Sequence, residues 1–263
     1  MKNVTINTLQ RNKISQEKFS VIAAYDATFS RLINQAGVDM ILVGDSLGMV
    51  LQGHGTTVPV TIDDMCYHTA GVARGNTHTM IMADMPFMTY SDTASAVSNA
   101  TRLMQAGAHM VKLEGGQWLC ETISTLVCGG IPVCAHIGLT PQTVNTLGGY
   151  RVAGRGEHQA QQLIDDAVAL EQAGAQIILM ECVPSDVARR VDEAVSVPTI
   201  GIGAGVHTTA QVLVLHDLLG LNPQPARFVR NFMDGTDSIQ GALRAYDEAV
   251  KDGSFPEEKH TFE

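Results

Sequence analysis

Three stretches of the chain follow one plan: QAGVDMILVGD (35–45), QAGAHMVKLEG (105–115) and QAGAQIILMEC (172–182). In each, a helix end meets a glycine, then an apolar strand, then an acid. Glycine suits the left-handed backbone that closes a helix. The stretches begin 70 residues (35 to 105) and 67 residues (105 to 172) apart. A strand, a helix and their connections take about 30 residues in a chain of barrel size, so each interval holds two βα units. Apolar runs elsewhere complete the series. Strands are expected at 20–26, 40–45, 80–84, 109–114, 132–136, 176–181, 198–203 and 211–217. Helices are expected at 28–36, 92–106, 117–128, 157–173, 185–195 and 237–251. Strands alternating with helices pair in parallel through crossover units, and eight of them fit a closed barrel. An open doubly wound sheet is the alternative, but its G-x-G-x-x-G fingerprint is missing after the first strand. We therefore expect a single (β/α)8 TIM barrel domain over 1–263, with short extensions at both ends. The long connection 46–79 is expected to carry a helix of its own within 62–75.

Composition narrows the function. A formal charge of −10 opposes nucleic acid or an anionic membrane as partner, since either calls for a basic patch. Hydrophobic residues at 45% allow a large core. The five cysteines (Cys66, Cys120, Cys128, Cys134, Cys182) are scattered and none is spaced as a metal-ligand pair, which fits reduced thiols in a cytoplasmic protein. The charged N-terminal stretch is not followed by an apolar run of signal-peptide type, and no run of about 18 apolar residues suggests a membrane span.

In a barrel the active site gathers where the strands end, so polar residues closing apolar runs carry the information. Asp26, Asp45, Asp84, Glu114, His136, Glu181 and Asp217 hold such places. An acid there either caps the next helix, accepting its free N–H groups, or faces the site. Lys112 is different. It lies inside an apolar strand, two residues before Glu114 and on the same face, and a buried ammonium there needs carboxylates beside it. Cys134 and His136 share a face in the same way. Asp45, Asp84 and Glu114 end three successive strands about 4.8 Å apart, and so converge. They either hold one hard cation, Mg²⁺ before Zn²⁺ because the donors are oxygens, or form a cluster sharing protons. The other eight histidines have no placement argument and read as surface or core residues. GIGAG (201–205) reads as a tight turn rather than a phosphate loop, because no lysine or arginine is near. The 12 methionines read as core filler.

Several strings resemble the ketopantoate hydroxymethyltransferases: VGDSLGMVLQGHGTTVPVT (43–61), ADMPFMTY (83–90), AGAHMVKLEGG (106–116), VCAHIGLTPQ (133–142), RVAGRG (151–156), LMECVP (179–184) and IGIGAG (200–205). They occur in family order along essentially the whole chain. The resemblance implies a transferase that makes ketopantoate from 3-methyl-2-oxobutanoate and 5,10-methylenetetrahydrofolate, early in pantothenate synthesis. It implies Asp45, Asp84 and Glu114 as carboxylates of a Mg²⁺ (or other divalent metal) site. It also implies Asp45, Ser46, Asp84, Lys112 and His136 as contacts of the oxo acid, and Glu181 as the general base. It further implies a homo-oligomer, commonly a decamer. The apolar neighbours Met180, Cys182 and Val183 should raise the Glu181 pKa toward the range of a useful base. Gly55, Ala153 and the arginines of PARFVRNF (225–232) depart from the family's usual residues, all away from the positions just assigned. A lyase or mutase of the isocitrate lyase and phosphoenolpyruvate mutase type would share the barrel and the metal-enolate logic, but the cysteine loop of KKCGH type is absent. A barrel kept as a binding or assembly module is the non-enzyme alternative.

Overall fold

The computed structural model describes residues 3–263. Its strands are β1 (Phe19–Ala23), β2 (Met40–Val43), β3 (Met80–Asp84), β4 (Met110–Glu114), β5 (Val133–Gly138), β6 (Ile177–Glu181), β7 (Thr199–Ile202) and β8 (Ala210–Val214). They pair in parallel, in sequence order, and β8 returns to β1 to close the barrel. Helix α1 (Ile6–Ser15) precedes the first strand. Helices α2 (Ala27–Ala36), α3 (Leu47–Val50), α4 (Ile62–Gly75), α5 (Thr93–Gln105) and α6 (Cys120–Cys128) follow within the first four units. Helices α7 (Val144–Leu147), α8 (Glu157–Gln172), α9 (Ser185–Ala194), α10 (Leu215–Leu218) and α11 (Ile239–Lys251) complete the chain.

The three repeats lie where their spacing put them, and contain β2, β4 and β6. Their glycines, Gly37, Gly107 and Gly174, have φ of 93°, 112° and 109°. A side chain would be strained at each, which is why the helix stops there. Each strand then divides its side chains by parity. Val21, Met82, Met110, Cys134, Ile177, Leu179 and Val212 fill the interior, while Ile22, Ile81, Val111, Ile178 and Leu213 pack against the helices. Leu9 of α1 joins the interior cluster and is fully buried, so this helix stoppers the amino end of the barrel. At the closing seam, the buried Tyr246 hydroxyl of α11 reaches the carbonyls of Val21 (2.9 Å) and Gln211 (2.8 Å).

Two strands stop three residues short of the sequence expectation, while β2 ends at Val43, leaving Asp45 in the turn beyond it, β5 runs on to Gly138 and β7 ends at Ile202. The last strand stops at Val214 rather than 217, because Leu215 and Leu218 take helical spacing and bury in the outer layer. Asp217 is therefore a residue of α10, where it accepts from Asn222 Nδ2 at 2.9 Å. The first strand stops at Ala23, and Asp26 is the N-cap of α2. Its carboxylate accepts from Thr28 N (2.7 Å) and Phe29 N (2.9 Å), so at this position the capping reading holds. Helix α4 fills 62–75 as expected, whereas α1, α3, α7 and α10 were not anticipated.

Candidate active site

The strand register assembles the polar floor of the barrel mouth. Asp84 lies beside Lys112 across β3–β4, Glu114 beside His136 across β4–β5, and Gly138 beside Glu181 across β5–β6. Asp45 and Ser46 come from the turn after β2, where Leu47 N donates to Gly44 O at 3.1 Å. That turn is pinned to the next strand, because the Asp45 N–H donates to Asp84 Oδ2 at 3.0 Å. Asp45, Ser46, Asp84, Lys112, Glu114, His136 and Glu181 all line one cavity of about 500 Å³. Asp217 also reaches this cavity, from its helix, and Asp26 does not.

Lys112 is 3% exposed, and its ammonium lies 3.0 Å from Asp84 Oδ1 and 3.5 Å from Glu114 Oε1. Burial works against its charge, but Asp84, Glu114 and Asp45 outweigh burial and hold its pKa above the ordinary lysine value. Glu114 is the best-served carboxylate. Burial raises its pKa, yet His136 and Lys112, with the Gln142 N–H on Oε2 at 3.1 Å, bring it below the ordinary value. Asp84 is raised by burial, with Lys112 opposing. Its Oδ1 receives no well-directed hydrogen bond, so the contact with Lys112 is ionic rather than a formed N–H···O bond. Asp45 is raised furthest of the three, by burial first and then by the charges of Asp84 and Glu114. Among the described residues no cation pairs with it, and its hydrogen-bond donor is Gln142 Nε2 at 2.9 Å. The three carboxylates expected to converge thus divide. Asp45 and Asp84 retain unspent oxygen capacity, whereas Glu114 has turned to Lys112, His136 and Gln142. Among the described residues no three acids, histidines or cysteines close into a ready-made metal cluster.

His136 connects the two halves of the mouth. Its Nδ1 lies 3.2 Å from both Lys112 Nζ and Glu114 Oε1, and its Nε2 lies 3.6 Å from Glu181 Oε2. Burial and then Lys112 hold its pKa below the ordinary histidine value, so the ring is neutral. Glu181 has no comparable support. Burial, then the Glu114 charge, push its carboxyl up to about 8. The residue after it, Cys182, has a φ of 50°, an uncommon left-handed conformation for a non-glycine side chain at the point where chain and base turn.

Several residues that line the cavity or support its lining escaped the sequence reading. Tyr25 exchanges a 2.8 Å hydrogen bond with the Ser46 hydroxyl, and its carbonyl meets His68 Nδ1 at 2.8 Å. It lay one residue before the acid chosen as the strand end. Gln142 sat at the end of the quoted string VCAHIGLTPQ, where only the histidine had been given a place. Met49, Tyr150, Phe228 and Phe262 line the outer wall, and no local pattern joins them. GIGAG forms a turn, with φ of 62° at Gly203 and 78° at Gly205. A Cβ on Gly203 would strike Phe228 at 2.8 Å, and one on Gly205 would strike Ser185 Oγ at 2.1 Å.

Among solved structures, a phosphonopyruvate hydrolase superposes with a TM-score of 0.64 over 84% of each chain at 14% identity. A 2,3-dimethylmalate lyase gives 0.59 over 84% of this chain and 82% of its own, at 16% identity. Identities this low show a shared barrel and nothing about activity. Sequence relatives are much nearer. The 3-methyl-2-oxobutanoate hydroxymethyltransferase of Marinobacter nauticus is 58% identical over 98% of both chains. Proteins named 3-methyl-2-oxobutanoate hydroxymethyltransferase 2 from Hahella chejuensis and Pseudomonas entomophila are each 57% identical, over 99% of both chains for the first and 100% of this chain for the second. The family model of ketopantoate hydroxymethyltransferase matches residues 3–258. This chain belongs to the ketopantoate hydroxymethyltransferase family and is a transferase.

Proposed function

We propose that the chain transfers a one-carbon unit from 5,10-methylenetetrahydrofolate to 3-methyl-2-oxobutanoate, forming 2-dehydropantoate in pantothenate synthesis. In this reading a divalent cation is held by Asp45 and Asp84. The observation that carries it is the charge on the cavity floor. Three buried carboxylates face one ammonium and a neutral imidazole, an excess of two negative charges that a divalent cation balances. The chemistry of the donors fits Mg²⁺, since Asp45 and Asp84 both offer carboxylate oxygens. Glu114, already engaged by Lys112, His136 and Gln142, suits an outer position better than a direct one. Bound there, the cation supplies Lewis acidity at the oxo oxygen of the substrate.

The chain's own groups do the rest. Lys112 sets a fixed positive charge beside the substrate oxygens, and Ser46, oriented by the Tyr25 hydroxyl, offers a donor to the substrate carboxylate. Glu181, across His136 from Glu114, takes the proton from C3. The carbanionic C3 then bonds to the folate methylene carbon, whose two C–N bonds break in the overall reaction; water supplies the hydroxyl oxygen, and tetrahydrofolate leaves with its two nitrogens carrying the C3 proton and one proton of that water. The apolar wall of Met49, Tyr150, Phe228 and Phe262 supports a planar heterocycle at the outer mouth. The barrel acts as one domain in a homo-oligomer of cytoplasmic type, and no helix among the described residues is long and apolar enough to cross a membrane.

Deuterium exchange at C3 of 3-methyl-2-oxobutanoate tests this reading. Exchange should require Mg²⁺ and Glu181 but not folate, and adding 5,10-methylenetetrahydrofolate should yield 2-dehydropantoate. Absence of exchange with metal present, in folded protein, would overturn the assignment. Cleavage of an oxo-acid carbon–carbon bond would favour the lyase alternative.

A further inference from the structure

Gln142, to which no role has been given, meets residues of the cavity floor with both ends of its amide and with its backbone N–H. It lies in the single 3-10 turn Pro141–Thr143 after β5 and is 3% exposed. Its Nε2 donates to Asp45 Oδ2 and to the Met85 carbonyl, each at 2.9 Å. Its Oε1 accepts from the Tyr90 hydroxyl at 2.5 Å, and its backbone N–H donates to Glu114 Oε2 at 3.1 Å. The neighbours fix which way the amide points. Turned over, its oxygen would face a carboxylate and a carbonyl, two acceptors with no proton between them. Tyr90 is itself tied down, since the Glu114 N–H donates to its hydroxyl oxygen at 3.3 Å. One side chain therefore joins the turns that follow β2, β3 and β5, and its main chain holds the end of β4.

An amide that occupies one oxygen of Asp45 fixes the plane of that carboxylate and leaves the second oxygen for the cavity. Such outer hydrogen bonds orient metal-binding carboxylates, and their loss costs about 10–100-fold in affinity. We propose that Gln142 is a positioning residue, whose amide orients Asp45 for the cation while its N–H holds Glu114 in its outer place. The inference rests on the assignment of Asp45 and Asp84 made above. It adds that the cation site is pre-organised by a residue from the opposite half of the chain, with the Tyr90 hydroxyl setting the direction of that amide.

Mn²⁺ binding to the full-length protein, followed by calorimetry and by the electron paramagnetic resonance of free Mn²⁺, provides the test. Gln142→Met keeps the volume and the backbone N–H but removes the amide. It should weaken Mn²⁺ by about 10–100-fold while circular dichroism stays that of the parent. Tyr90→Phe should weaken it in the same direction by less. The double variant should bind no worse than Gln142→Met alone, because the hydroxyl acts only through the amide. Additive losses, or parental affinity in folded Gln142→Met, would overturn the proposal. Should Gln142→Met fail to fold, Tyr90→Phe decides: reduced Mn²⁺ affinity supports the inference and parental affinity removes it. Asp84→Ala separates the two levels of the reading. If Asp84→Ala binds Mn²⁺ as the parent does, the cation assignment itself falls. If Asp84→Ala loses binding and Gln142→Met does not, only the role of Gln142 falls.

Discussion

Glu181→Gln should weaken the chemistry and strengthen the fold, and both effects follow from one carboxyl group. Burial moves that group from an ordinary 4.5 to about 8, with the Glu114 charge adding to the shift. In the unfolded chain it ionises near 4.5, so between these values the folded state binds the proton and the unfolded state has released it. Its contribution to stability is therefore complete at acid pH and is lost as pH rises from about 4.5 through about 8. At 1.36 kcal/mol per pH unit, about 3 kcal/mol of stability is lost by pH 7. The partly accessible side chain, 19% exposed, trims this through solvent screening. Glutamine keeps size and polarity but has no proton to lose, so its unfolding free energy should change less between pH 5 and pH 8 than the parent's, by roughly that amount. Urea unfolding at the two pH values measures it. The same variant should still bind Mg²⁺ and the oxo acid, yet lose C3 exchange by roughly 10²–10⁴. Superimposable pH profiles would refute the argument that burial holds this proton. Unimpaired exchange would move the base elsewhere, with His136, 3.6 Å away, the next group in reach.

Further perturbations probe the other half of the mouth. Asp45→Asn removes a carboxyl whose ionisation burial, Asp84 and Glu114 oppose, so calorimetry should show Mg²⁺ binding lost and an unfolding temperature for the metal-free protein no lower than the parent's; a lower one would contradict the charge argument. Lys112→Met, which keeps the buried stem, should raise KM for the oxo acid more than for folate and be less destabilising than Lys112→Ala; an effect confined to the folate KM in steady-state kinetics would remove Lys112 from the oxo-acid site. Light scattering at micromolar concentration should find a homo-oligomer, consistent with the exposed Tyr67 (73%) and Trp118 (62%), and a stable, active monomer would contradict it.

The barrel was legible because its signals are local. The helix-stop glycine and the apolar run of each QAG stretch lie within a dozen residues, and strand parity alone put Lys112 and Glu114 on one face. Strand ends were less legible. An acid after an apolar run looks alike whether it caps a helix, as Asp26 does, or reaches the cavity, as Asp84 does, because the difference lies in where the backbone turns. Asp217 misled for a related reason: VLVL (212–215) carries no mark of where strand gives way to helix, and the packing of Leu215 and Leu218 decides it. Gln142 could not be found from pattern at all. Its partner Asp45 is 97 residues away, and only ring closure brings the two turns together.

The same ring closure explains how two glutamates on neighbouring sides of one histidine come to opposite states. Glu114 and Glu181 both face His136, at 3.2 Å and 3.6 Å, and burial works against the charge of each. The difference is the company each keeps: His136 first and then Lys112 lower the Glu114 carboxyl, whereas for Glu181 Lys112 is the opposing group. Lys112 shares β4 with Glu114 and lies beside Asp84 on β3, so its charge falls mainly on the cation side of the mouth, and the Gln142 N–H reinforces it there. On β6, beyond the intervening imidazole, Glu181 feels that charge more weakly than it feels burial and the charge of Glu114. His136 also lies nearer Glu114, at 3.2 Å against 3.6 Å, and works on that carboxyl first. Placing the ammonium one strand away from the histidine, on the side opposite the base, thus allows a carboxylate with a lowered pKa and a proton-accepting carboxyl with a raised one to share one cavity.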